Sequence, residues 1–149
     1  MSNVWNAVLA GVPYGLGVAS INIGKHIDKR DDDAARHVGT FPVRAGEEFA
    51  RRTNQFAVIM IYVVILYLVF VTRYFTPVML IVFLAAKDAW NFLKVLNHPK
   101  PAKAPDWWPA WPTWFAGFGF QHNRHFGGYI LLGLIADALL RIFLPTFWV

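Results

Sequence analysis

The uncharged stretch of residues 56–72, FAVIMIYVVILYLVFVT, constrains this chain more than any other feature. It has no acidic residue, Lys or Arg, and it approaches the ~20 apolar residues with which a helix crosses the hydrocarbon core of a bilayer. Hydrophobic residues make up 56% of the chain and charged residues 15%. Soluble domains are closer to roughly half apolar and about a quarter charged. The sequence therefore predicts an all-α integral membrane protein.

Three further apolar stretches, residues 4–23, 75–95 and 128–149, raise the prediction to about four transmembrane helices in a single transmembrane domain. The two long connections, residues 24–53 and 96–127, both carry Lys and Arg. Basic residues next to transmembrane helices favour the cytoplasmic side, so both loops are predicted to be cytoplasmic and both termini to lie outside. The predicted location is the cell membrane, plasma or inner.

The formal net charge of +5 is read first as a topology signal, because the basic residues lie mostly in loops between apolar segments. Nucleic acid is accordingly not expected as a partner. The second loop also contains Trp107, Trp108, Trp111 and Trp114 among several prolines. This composition is typical of an aromatic anchor at the membrane interface, and the alternative is a lid beside a lipid-substrate cavity.

The first loop contains the most informative residues, in the run GKHIDKRDDDAARHVGTFPVRAG. Asp28 and Asp32 are four residues apart, so on a continued helix both carboxylates fall on one face. Such a pair can give Mg²⁺ one oxygen each while the metal binds phosphate. Lys25, Arg36 and Arg44 are the predicted contacts for diphosphate oxygens. The alternative is a solvated loop whose mixed charges only hold topology.

The same run resembles the second aspartate-rich motif of the UbiA superfamily of intramembrane aromatic prenyltransferases. The family pattern is D-x-x-x-D followed by T-x-P-V-x-x-G, which Asp28, Asp32 and the segment from Thr40 to Gly46 match. Arg36 stands where the family usually has Gly. The segment FQHNRHFGG, residues 120–128, resembles the loop that enters the family's last helix. The likeness covers nearly the whole chain.

The resemblance implies that this chain is half of an enzyme. UbiA-type enzymes have nine transmembrane helices and two aspartate-rich motifs, between which Mg²⁺ ions hold the prenyl diphosphate. This chain resembles only the C-terminal half, and it has no second acidic cluster. Metal clamps supply most of the stabilisation of a departing diphosphate, so the chain alone is expected to be inactive.

Two functions follow from this. In the first, the chain binds Mg²⁺-prenyl diphosphate and needs a partner chain to transfer the prenyl group to an aromatic acceptor such as a quinone precursor. In the second, it is a non-catalytic accessory subunit of a larger respiratory, photosynthetic or oxidase assembly, contacting a quinone-like lipid. Both predict a hetero-oligomer in the lipid bilayer.

Ionisable and polar residues inside the predicted helices form a second set of candidates, because such residues at membrane depth face a protein interior or a cavity. Asp137 and Arg141 are spaced to pair on one helix face. Lys87 either snorkels to the interface or faces the cavity. The predicted cavity or helix–helix contacts are Lys87, Asp88, Asp137, Arg141, His122, Asn123 and Arg124.

Overall fold

The fold was obtained as a computed structural model, which describes residues 2–148 and the side chains of residues 4–148. These residues form helices and connections, with no strand among them. The elements are α1 (Ser2–Asp28), α2 (Arg30–Ala35), α3 (Phe41–Ala45), α4 (Glu47–Leu66), a π-helical turn (Tyr67–Val71), a 3₁₀ helix (Pro77–Ala85), α5 (Ala86–Leu96) and α6 (Phe115–Phe143).

Three of these helices are long and apolar enough to cross a membrane: Val4–Asp28, Glu47–Val71 and Phe115–Phe143. The predicted span at 75–95 has a different form, because its first half is the 3₁₀ helix and its second half is α5. A 3₁₀ helix rises about 2.0 Å per residue and an α-helix about 1.5 Å, so the two together reach about 34 Å. That length matches a hydrocarbon core of about 30 Å.

The helix boundaries differ from the predicted ones at the charged and glycine-rich ends. α1 continues through Gly24 to Asp28, and α4 begins at Glu47, well before the predicted residue 56. The negative charge of Glu47 is favourable at the N-terminal end of the helix dipole. Glu47 also pairs with Arg51, 3.2 Å away and one turn later. α6 begins at Phe115 instead of residue 128 and ends at Phe143. The predicted end at residue 149 lies outside the described residues.

Gly24 does not end α1, because it lies where α1 packs closely against the start of α6. A Cβ atom added to Gly24 would lie 2.9 Å from the backbone nitrogen of Ala116, at the start of α6. Small residues at such crossings allow two backbones to approach within a membrane. Gly24 therefore allows α1 and α6 to pack closely, whereas the sequence alone predicted that the helix ends before it.

The four long helical segments pack in a ring, in which α1 contacts α4 and α6, and the 3₁₀–α5 segment contacts α4 and α6. One buried cluster, around Ile65, Met79 and Phe126, joins α4, the 3₁₀ helix and α6. A second, around Phe92 and Phe115, joins α5 to the start of α6. In the most apolar stretch of α1 and of α6 only 22% is buried, against 44% in that of α4, so α1 and α6 are the more open of these three helices.

The Trp-rich connection between α5 and α6 packs against the first turn of α6. Trp108 stacks on Phe118 with ring centroids 4.3 Å apart, and Trp114 is buried. The indole nitrogen of Trp108 donates to the backbone carbonyl of Thr113, 2.9 Å away. These contacts hold the connection over the end of the bundle where α1 finishes and α6 starts. We call this the Asp28 end, and the opposite one the Asp137 end.

Candidate functional site: a charged cavity at the end of the first helix

Asp28 and Asp32 lie on either side of a short break in the helix. α1 ends at Asp28, Lys29 follows, and α2 begins at Arg30. The backbone nitrogen of Lys29 still donates to the carbonyl of Lys25, and that of Asp33 to the carbonyl of Lys29. The chain therefore keeps a helical course through the break.

The side chain of Asp28 is 4% exposed and caps the start of α6. One carboxylate oxygen accepts the backbone N–H of Phe115 at 3.1 Å, and the other accepts that of Ala116 at 2.9 Å. The first N–H groups of a helix have no partner within the helix. Trp114, at the N-cap position of α6, makes no capping bond with its own side chain. Asp28 supplies the missing acceptor from another helix, with a charge that suits the helix dipole.

Lys100 provides the counter-charge to Asp28. Its ammonium group lies 3.6 Å from the Asp28 carboxylate and donates to the backbone carbonyls of Asp28 and Pro112. It also lies over the ring of Trp111, 4.8 Å from the centroid. Lys100 therefore ties the Trp-rich connection to the end of α1. It was not among the residues predicted from the sequence, because nothing in a one-dimensional pattern links it to a residue so far away.

Asp28 and Asp32 line one cavity of about 330 Å³. The other residues lining it are Lys25, Ile27, Lys29, Arg30, Asp31, Glu47, Lys100, Pro112 and Thr113. Four of the lining side chains are basic and four are acidic, so the formal charges of the cavity cancel. We call it the charged cavity.

The ion pairs around the charged cavity leave three charges unpaired among the described residues. Lys100 faces Asp28, while Arg30 lies 3.5 Å from Asp31 and 3.9 Å from Glu47. Asp32 is exposed and belongs to no ion pair of the described part of the chain, and the same holds for Lys25 and Lys29. One carboxylate and two ammonium groups therefore remain available to a ligand.

The predicted diphosphate contacts are only partly brought together. Lys25 lines the charged cavity, whereas Arg36 and Arg44 do not. Arg36 is exposed at the end of α2. The Arg44 guanidinium packs against Gly39, where an added Cβ atom would lie 2.6 Å from its Nε.

The donor set fits Mg²⁺ at Asp32 better than at Asp28. Across residues 2–148, no three His, Asp or Glu side chains lie together as a metal site. Mg²⁺ needs only one or two protein carboxylates when substrate phosphates and water complete its shell. Asp32 offers an exposed carboxylate, while both oxygens of Asp28 already accept backbone N–H groups beside an ammonium.

Asp137 and Arg141 form the predicted i, i+4 pair, with Arg141 Nε 2.9 Å from Asp137 Oδ2. Asp137 also accepts the backbone N–H of Thr76 at 2.6 Å, and Arg141 donates to the carbonyl of Tyr74 at 2.6 Å. The pair therefore holds the turn that leads into the 3₁₀ helix.

The remaining candidates on α5 and α6 mostly make helix–helix contacts. Asp88 accepts from Gln121 and lies 2.8 Å from Nδ1 of His125. His122 is fully buried, and its Nε2 lies 3.0 Å from the hydroxyl of Tyr62.

Of the other three residues of this group, one packs against α1 with its side-chain oxygen buried, and two are exposed. Asn123 packs against Gly17, where an added Cβ atom would meet its side-chain oxygen. Lys87 and Arg124 are exposed.

Comparison with known proteins gives one finding. The model of the UbiA prenyltransferase family matches residues 1–117 of this chain. No curated protein and no solved structure matches this chain. The matched range contains every residue that lines the charged cavity and ends just inside α6.

Proposed function

Because the chain belongs to the UbiA prenyltransferase family, we propose that it is the C-terminal half of a two-chain intramembrane prenyltransferase that holds a prenyl diphosphate in its charged cavity. The observation that carries this proposal is the meeting of Asp32, Lys25 and Lys29 at one cavity with no ion pairs of their own in the described structure. A polyanion and a divalent cation together supply the charges that these three side chains lack.

In this proposal each side chain has a separate task. Asp32 ligates Mg²⁺, and Lys25 and Lys29 donate to phosphate oxygens. When bound, Mg²⁺ neutralises charge that develops on the departing diphosphate. Asp28 holds the start of α6 and Lys100 in place, and so shapes the wall of the cavity. Arg36 and Arg44 remain predicted contacts that lie outside it.

The open surface of α1 and α6 supports the need for a partner chain. The most apolar stretches of these two helices bury only half the share that the stretch of α4 buries, and α1 lines the charged cavity. A second chain on this side would enclose the isoprenoid and bring the other aspartate-rich motif. The acceptor in this proposal is an aromatic molecule such as a quinone precursor.

The role of Asp28 as a cap favours the second candidate, a non-catalytic accessory subunit. A carboxylate needed to start α6 has a structural reason to be present whether or not the cavity binds diphosphate. The two candidates differ in what Asp32 does, since Asp32 makes no structural contact of this kind among the described residues.

Binding of inorganic pyrophosphate to the full chain in nanodiscs, measured by calorimetry with and without Mg²⁺, tests the proposal. Asp32→Asn is expected to remove the Mg²⁺ dependence, and Lys25→Gln to weaken binding by about tenfold, as for a lost charge-assisted hydrogen bond. Lys103→Gln, which removes an exposed charge outside the cavity, is the control and should bind like the unaltered chain.

Equal binding by Asp32→Asn and the unaltered chain in Mg²⁺ would contradict the metal role. No pyrophosphate binding under either condition would favour the accessory subunit. Prenyl transfer is then tested on the complex purified from native membranes, where the first candidate requires a second chain with its own acidic motif.

A further inference from the structure

An apolar groove of about 630 Å³ lies between α1 and α6. Gly11 and the exposed Tyr14 line it from α1, and Gly127 lines it from α6. A Cβ atom added to Gly11 or to Gly127 would meet nothing within 4 Å. Gly15, one turn after Gly11, and Gly128, beside Gly127, are equally open. The described part of the chain therefore leaves this face of the two helices uncovered.

Several other helical glycines of this chain have a close neighbour on another element. A Cβ atom added to Gly24 would lie 2.9 Å from the backbone nitrogen of Ala116, and one added to Gly133 would lie 2.8 Å from the sulfur of Met79. At those positions close packing offsets the loss of helix propensity that glycine brings. The open glycines of the groove bring the same loss without such a neighbour among the described residues. A helix of another chain, packed against them, would supply it.

Arg124 gives this groove a positive charge. It lines the groove, is exposed and belongs to no ion pair of the described part of the chain. Its guanidinium lies 3.5 Å from Nε2 of His125, which brings no negative charge. Arg124 lies about 14 Å along α6, whose whole length is about 43 Å, so a hydrocarbon core of about 30 Å centred on α6 includes it. A charge at that depth needs a counter-charge.

A second copy of this chain is poorly suited to supply that counter-charge. Each acidic side chain of the described long helices already faces a cationic side chain or a histidine of its own chain; these residues are Asp28, Glu47, Glu48, Asp88 and Asp137. A second copy would have to break one of these pairs to reach Arg124. The charge of Arg124 therefore favours a different chain.

We propose that the groove is the docking site of a membrane-spanning helix of the partner chain, and that this helix carries an Asp or Glu whose carboxylate pairs with Arg124. Small residues on the same helix pack against Gly11 and Gly127, since small residues on both sides let two backbones approach within a membrane. The proposal rests on the two-chain assembly proposed above, and it does not depend on what the charged cavity binds.

Photo-crosslinking of the full chain in native membranes tests the docking site. Benzoylphenylalanine takes the place of Tyr14, which is exposed in the groove, and mass spectrometry identifies the crosslinked peptide. The expected product joins this chain to a membrane-spanning peptide of a different chain that contains Asp or Glu. Benzoylphenylalanine in place of Leu84 is the control and should not give this product, because Leu84 is exposed on the 3₁₀ helix, across the ring of helices from α1.

Two pairs of variants then separate the charge from the shape of the groove. Arg124→Gln should lower the yield of the product by about tenfold, because it leaves the carboxylate unpaired, and Arg124→Lys should keep most of it. Leu131→Trp fills the groove and should abolish the product. Leu132→Trp, at the next and equally exposed position, does not line the groove and should keep the product. Thermal unfolding in nanodiscs reports whether each variant is folded.

Three results would overturn the proposal. The first is a crosslink from position 14 to a second copy of this chain or to lipid alone. The second is an unchanged yield in folded Arg124→Gln or Leu131→Trp. The third is loss of pyrophosphate binding in Arg124→Gln, which would show that the arginine acts on the charged cavity. The expected crosslink in a chain that binds no pyrophosphate would support the docking site while contradicting the diphosphate role, so the two proposals can fail separately.

Discussion

At the Asp28 end of the bundle, a buried carboxylate caps α6 with both of its oxygens and takes its counter-charge from Lys100 in a distant loop. At the Asp137 end, another buried carboxylate, that of Asp137, accepts a hydrogen bond from the backbone N–H of Thr76. Its counter-charge is Arg141, one turn later on the same helix. The two ends thus use one device, a carboxylate that joins the start of one helix to another. They differ in whether its partner is local in sequence.

That difference affects what each end can tolerate. The Asp28 contact joins α1, α6 and the Trp-rich connection, and the side chains of Asp28 and Lys100 are 4% and 22% exposed. The Asp137 contact involves a half-exposed arginine that keeps a second acceptor at Tyr74. We therefore expect the Asp28 end to be more sensitive to substitution than the Asp137 end.

The largest effect is expected from Asp28→Ala. Two N–H groups of α6 and the Lys100 ammonium lose their acceptor where little water reaches, which should lower the free energy of unfolding by about 3 kcal/mol. Urea unfolding in detergent micelles, followed by tryptophan fluorescence, measures the change. Asp31→Ala, whose side chain is 97% exposed, should behave like the unaltered chain. Similar losses in the two variants would show that the cap contributes little.

A smaller loss, about 2 kcal/mol, is expected from Asp137→Ala. Only one backbone N–H loses its acceptor, and Arg141 remains partly in solvent with its bond to Tyr74. The same unfolding measurement applies, with the exposed Asp106→Ala as its control. If Asp137→Ala costs more than Asp28→Ala, the proposed order of the two ends is wrong.

The smallest effect of the three is expected from Gly24→Ala, which tests how tightly α1 and α6 approach at the Asp28 end. The new methyl group would lie 2.9 Å from backbone atoms of Phe115 and Ala116, which have no freedom to rotate away, so about 1–2 kcal/mol should be lost. Gly15→Ala meets nothing within 4 Å and should be neutral or slightly stabilising by helix propensity. Equal stability of the two variants would mean that the crossing is loose.

The sequence predicted the all-α membrane class and the family, because apolar length and motif spacing are local properties. It placed the ends of α1, α4 and α6 less well, since glycines and charges that usually interrupt a helix are here stabilised by neighbouring helices. Asp28 was assigned to a metal on its spacing from Asp32. The spacing is present, and both residues line one cavity, but the start of α6 also uses Asp28 as its cap.

By itself, the sequence determined which segments leave water and which side chains can pair within one helix, as Asp137 and Arg141 do. Both depend on composition or on the fixed spacing of an α-helix. Only the tertiary structure decided that Lys100 meets Asp28 across 72 residues of chain. It also decided that Asp32, within the part of the chain that the structure describes, belongs to no ion pair. Those outcomes depend on how the helices cross, and crossing is set by packing between surfaces that are far apart in the sequence.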